Sequence, residues 1–140
     1  PICSGDCSIK ELVERHKDRL SCANLQGVDL KGVDLSGARL GYADLSFSDL
    51  SGAVLRRGNL WAARFWNCNL SNADMSDANF RFASFSCARL DNVDASWSNF
   101  EQASFYGVNI TGADFSFADL RQVNLRSVDR SKGIFKGAIL

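Results

Sequence analysis

Ala73-Asp74-Met75-Ser76-Asp77-Ala78-Asn79-Phe80-Arg81-Phe82 is the stretch whose reading decides the fold. It holds two five-residue units end to end. Each runs small, Asp or Asn, large apolar, then two further residues. Outward from this stretch, the large residue recurs at every fifth position from Leu20 to Leu140, with Ala95 and Arg130 as the exceptions. Two places before it stands Ala in 13 of 24 units and Val in six, so the space these residues fill is narrow. Ser48, Ser98, Gly58, Gly133 and Cys68 take the remaining small positions. The residue between is Asp or Asn in 16 of 24 units, which marks a repeated outward position.

No regular element carries a period of five alone. An α-helix drifts by roughly 140° per unit, which leaves no continuous apolar stripe. A strand alternates with period two and falls out of phase at once. A three-residue extended piece followed by a tight turn does fit. Pleating sends the small and large residues inward and Asp/Asn outward. Gly at the second corner place (Gly27, Gly32, Gly37, Gly52, Gly107, Gly112, Gly137) supplies positive φ. Arg57, Asn67 and Asp77 at the same place lead us to expect a second turn type. Bending always the same way, the chain coils, and stacked coils pair their backbones at about 4.8 Å.

The pattern resembles the pentapeptide-repeat family, with Ala43-Asp44-Leu45, Ala73-Asp74-Met75, Ala78-Asn79-Phe80 and Ala113-Asp114-Phe115 as close matches. The resemblance covers residues 20–140. It implies an all-β fold: a right-handed quadrilateral parallel β-helix of four units per coil and about six coils. Before it, Ser8-Ile9-Lys10-Glu11 reads as a capping box. A short capping α-helix is expected from Ile9 to Asp18, with Ile9, Leu12, Val13, His16 and Leu20 on its inner face. The chain thus divides into a leader and capping helix, residues 1–19, and the β-helix, residues 20–140.

Composition narrows the function. The 140 residues carry 16 basic and 16 acidic side chains, so a nucleic-acid partner, which needs a basic footprint, is not expected. No 18-residue apolar run or signal-peptide core is present, so no membrane association is expected. Cysteine is odd in number, five, with no disulfide framework, and reduced thiols in a cytoplasmic or nuclear setting are the expectation. Cys68 falls inward, and Cys22 and Cys87 fall at corners. Cys3, Cys7, His16 and Cys22 are too poorly spaced for a zinc site, and a Cys3–Cys7 disulfide is an equal alternative in an oxidising compartment. His16 is the single histidine, no pair of carboxylates stands apart from the repeat, and no Gly-rich loop leads into a helix. Neither an enzyme, a cofactor nor a metal is expected.

With 20 residues per coil, as the resemblance implies, positions 20 apart share a face. Tyr42, Trp61 and Phe82 then fall on one face and Phe47, Trp66 and Tyr106 on the next, with Arg39, Arg56, Arg57, Arg64 and Arg81 close by in sequence. Surface aromatics rimmed by Arg are favoured protein contacts. An Asn59, Asn79, Asn99 ladder shares the first face. Asp34, Asp74, Asp94 and Asp114 form a column on the fourth, with Trp97 and Phe117 stacked nearby. Arg130 places a charge where an apolar residue belongs, so the last coil should distort or expose it. Ile134, Phe135, Ile139 and Leu140 leave an apolar C-terminal end, a candidate contact for a homodimer. Ala95 should leave a small gap filled by Phe115.

The expected function is a non-catalytic protein-interaction or scaffold module with its partner on the aromatic faces. Similar arrays occur in BTB-domain adaptors, although no BTB domain is visible here. The alternative comes from quinolone-resistance pentapeptide proteins and a mycobacterial relative, which mimic DNA and bind gyrase. Against it stand the neutral charge, the Asp column interrupted by Val54 and the basic last part (Arg121, Arg126, Arg130, Lys132, Lys136). A passive structural spacer is the third reading.

Overall fold

The computed structural model describes residues 8–140, so the expectations placed on Pro1–Cys7, Cys3 and Cys7 among them, lie outside the described residues. From residue 20 the chain forms a four-sided solenoid. Single-residue parallel bridges link positions 20 apart in four columns, which begin Asn24↔Asp44, Asp29↔Asp49, Asp34↔Val54 and Arg39↔Asn59. Each side is too short to be a longer strand. Its middle, outward residue makes the bridge, and the residues on either side of it point into the core.

The interior follows from the repeat. Leu30 to Phe115 at the large positions and Ala38 to Ala118 at the small ones are buried, Ala95 among them. Rings 20 apart stack at the coil spacing: Phe65 on Phe85 at 4.9 Å and 2°, Phe80 on Phe100 at 5.1 Å and 6°. Each such side chain contributes about 2 kcal/mol by leaving water. Phe115 makes its ring contacts with Phe100, Phe105 and Phe135. Ser48 and Ser98 replace Ala because their hydroxyls donate to the carbonyls of Leu45 and Met75. Burial pushes the Cys68 thiol up to about 12, as befits a core residue.

The corners correct one expectation. From Cys22 to Gln122 there is no second turn type. Every second corner residue from Cys22 to Gln122, and again Gly137, has positive φ whether or not it is Gly. With the bond from Ala23 N–H to Leu20 O and its repeats, these are turns of the type II kind. Arg57, Asn67 and Asp77 adopt φ of 60°, 52° and 53°. No β-branched residue appears at a positive-φ corner, as its bulk would forbid. The stacked coils hold the rest there, because these corner N–H groups from Cys22 to Phe117 donate to the next coil, as Tyr42 N–H does to Trp61 O at 2.9 Å.

Helix α1 spans Ile9–Arg15, with the Ser8 hydroxyl accepting from Glu11 N–H at 3.2 Å. It ends three residues before Asp18, because Lys17–Arg19 tighten into a 3₁₀ turn that leads into the first coil. Its inner face is also narrower than expected. Val13 and Leu20 are buried, whereas Ile9, Leu12 and His16 are exposed. The helix and the 3₁₀ turn after it close the first coil chiefly through polar groups. Glu14 Oε1 accepts from Asp34 N–H at 2.9 Å, and Lys17 O accepts from Arg39 N–H at 2.8 Å. These replace the bonds that a preceding coil would make.

At the other end Arg130 does escape. It is exposed, begins a 3₁₀ turn over Arg130–Lys132, and sets its guanidinium 5.8 Å from the Phe135 ring centre. The sixth coil loses bridging on two sides as a result and regains it at Asp114↔Ile134. Ser127 and Lys132 are the two second-corner residues without positive φ, and both lie in this segment.

Candidate protein-interaction surface

The outward Asp and Asn residues have a local task. Their Oδ1 atoms accept from the N–H two residues on, from Asn24 to Gln26 through Asp129 to Ser131. Either amide or acid can do this, which explains why the two interchange. The fourth-face column is engaged in the same way: Asp34, Asp74, Asp94 and Asp114 accept from Ser36, Ser76, Ser96 and Ser116 at 2.8–3.0 Å. The Ser36 hydroxyl and N–H hold the Asp34 carboxyl below its usual value. In the Asn ladder, Asn79 Nδ2 donates to Asn59 Oδ1 at 3.3 Å.

The corners, which project furthest, carry the aromatics. At the first corner Tyr42, Trp61 and Phe82 form one edge-to-face ladder, with centroids 5.0 and 5.3 Å apart. Tyr42 and Phe82 occupy positive-φ places while Trp61 comes from the preceding corner place, where the coil before has Gly41. Trp61 is half-buried in the ladder; Tyr42 is 61% exposed. Ion pairs continue the ladder. The Arg81 guanidinium lies 5.5 Å from the Phe82 ring centre and its Nε 3.3 Å from Glu101 Oε2. Arg121 Nη2 donates to Asp119 Oδ2 at 2.6 Å, and that hydrogen bonding holds the Asp119 carboxyl below its usual value.

The second trio is not brought together. Phe47, Trp66 and Tyr106 are all exposed, but no ring contact joins them among the described residues. Trp66 is instead held by Arg64, 4.4 Å above its ring, and by its Nε1 donating to Ser84 Oγ at 2.7 Å. The fourth-face pair expected from the layout by 20, outside the candidate surface, does meet. Trp97 and Phe117 stack at 4.4 Å and 15°, and both are exposed. Their spacing of 20 was the available signal. Phe117 lies over Gly137, where a Cβ would come within 2.6 Å of its ring. The remaining corner, from Lys31 and Gly32 to Ser131 and Lys132, has no aromatic.

Of the C-terminal candidates, Ile134, Ile139 and Leu140 are exposed, whereas Phe135 extends the core stack on Phe115 at 5.3 Å. Among the described residues no group of three or more His, Cys, Asp or Glu could hold a metal, and no helix is long and apolar enough to cross a membrane. Cys22 and Cys87 are free and exposed.

A family model described as pentapeptide repeats matches residues 19–57, 59–94 and 88–126, and indicates no enzyme family. Among solved structures, a pentapeptide repeat protein of the Arabidopsis thaliana thylakoid lumen is 34% identical, over 76% of this chain and 74% of that one, with a TM-score of 0.74. HetL of the cyanobacterium Nostoc, involved in heterocyst differentiation regulation, is 20% identical over 96% and 93%, with a TM-score of 0.40. Full-length QnrB1, a plasmid-mediated fluoroquinolone resistance protein, is 17% identical over 87% and 86%, with a TM-score of 0.29. No curated protein matches the chain significantly.

Proposed function

The chain belongs to the pentapeptide-repeat family, and on that premise we propose that it is a non-catalytic interaction module, right-handed in its coil like the rest of that family. Its partner is a protein, and the docking surface is formed by Tyr42, Trp61 and Phe82 with Phe47, Trp66 and Tyr106 around the next corner. The observation that carries this reading is the Tyr42–Trp61–Phe82 ladder, a preorganised aromatic strip flanked by Arg81. Rigid aromatics of this kind lose little entropy on binding. Replacing Trp61 and Trp66 together with Ser should abolish capture of the partner while the thermal transition stays cooperative. Undiminished capture would overturn the reading.

A second copy is the other occupant we propose, at Ile134, Phe135, Ile139 and Leu140. The exposure of three of these supports it. Like charges on Arg126, Lys132 and Lys136 would oppose the pairing, so association should strengthen as salt screens them. Light scattering that finds only monomer at high protein and high salt would remove it. The gyrase-binding reading has less support, because the Asp column is turned into its own corners. The spacer reading predicts that no surface substitution matters. The likeness to a thylakoid-lumen protein adds that lumen to cytoplasm and nucleus as a compartment to test with a fluorescent fusion.

A further inference from the structure

On the Phe105 side the sixth coil stands away from the fifth. The bridge Ser84↔Ser104 has no successor from Ser104 to Asn124. By the register of the earlier coils, Phe105 N–H should donate to Asn124 O, Asn124 N–H to Ala103 O, and Gly107 N–H to Arg126 O; none of these bonds forms. Gly107 N–H donates instead to the Ser127 hydroxyl at 3.2 Å, and that hydroxyl donates to Phe105 O at 3.4 Å. Phe105 N–H and Ala103 O remain without a partner among the described residues, although both residues are buried. Buried backbone groups are seldom left so.

A cleft of about 370 Å3 opens beside them, lined by Ser104, Tyr106, Gln122, Asn124, Arg126 and Ser127 among others. Ala103 O and Phe105 N–H point the same way, as on the edge of a parallel pair, which is the edge an added strand recognises. Arg126 is exposed and has no ion pair among the described residues. Arg121 of the same coil is already paired with Asp119 and Glu101, but Arg126, Arg130, Lys132 and Lys136 stand there with Asp129 as the coil's one carboxylate side chain. Charge complementarity therefore selects an acidic occupant over a neutral one.

We propose that this cleft takes an extended acidic segment of a partner protein, paired along Ala103–Phe105 with a carboxylate on Arg126. The site lies on the flank of the rod and does not depend on the aromatic ladder. Titrating the isotope-labelled chain with the blocked peptide Glu-Val-Glu-Val-Glu should shift the amide signals of Phe105, Gly107 and Asn124. Arg126→Gln should weaken binding about tenfold. Arg130→Leu, which lets the coil close, should abolish it while the Phe105 amide becomes protected from exchange. The Lys-Val-Lys-Val-Lys peptide should not bind. Equal binding of that peptide overturns the proposal. So does an equal response to glutarate, which would mark a simple anion site, or full affinity in an Arg130→Leu chain whose Phe105 amide is protected.

Discussion

The two ends of the rod solve the same problem differently. Both expose the edge of a coil. At the first coil, α1 buries Val13 and presents Glu14 to the Asp34 amide, and the 3₁₀ turn after it presents the Lys17 carbonyl to the Arg39 amide. At the last, Arg130 draws the chain outward, two bridges fail, and Ile134, Ile139 and Leu140 face solvent. A repeat array buries its core only between neighbours, so closure has to come from residues that do not repeat. At the first coil α1 and the turn after it supply such residues. In the sixth coil one repeat residue is a charge, and a cleft opens beside that coil.

The contrast can be broken most severely at Val13. Val13→Asp buries an unpaired charge and should cost about 3 kcal/mol in urea unfolding. The matched Ile139→Asp, already exposed, should cost under about 0.5 kcal/mol. Equal losses would mean that the ends do not differ. Arg130→Leu should sharpen the picture from the other side, stabilising the chain by about 2 kcal/mol and slowing exchange at the Phe105 and Ile110 amides. Glu14→Ala should cost about 1 kcal/mol and speed exchange at the Asp34 amide, with the Phe105 amide unaffected.

The smallest effect is a pH dependence shared by both ends. The Ser36 hydroxyl lowers the Asp34 pKa, and the Ser131 hydroxyl lowers that of Asp129. A carboxyl lowered in the folded state contributes stability above its unfolded value, and loses it as pH falls through the folded one. Melting temperature should therefore hold near neutrality and decline as pH drops below about 4. Asp34→Asn keeps the acceptor oxygen and should flatten part of that decline.

Much of this was legible in the chain. Large residues every fifth place and Ala or Val two before them point to a narrow coil, and Asp or Asn before the large residue points to a turn acceptor. The capping helix was visible from Ser8 and Glu11, but its length was not. A helical spacing through His16 and Leu20 does not show that the chain must tighten at Lys17–Arg19 to enter the first coil. The expectation of a second turn type at Arg57 failed for a related reason. Residue type alone favours Gly at positive φ, and the bond that holds Arg57 there comes from Ser76 O, a coil away.

The candidate surface divides along the same line. Laying residues out by 20 placed Tyr42 and Phe82 in one column, yet the ladder is completed by Trp61, which is 19 residues from one and 21 from the other. Phe47, Trp66 and Tyr106 look equivalent on paper and do not touch. The sequence by itself determined the period, the inward pair and the corner acceptors, because these are local and repeated in every unit. The tertiary structure alone decided which rings meet, which corners accept positive φ and where the sixth coil parts from the fifth. Those outcomes depend on contacts between coils, where one charged residue at position 130 outweighs the rhythm around it.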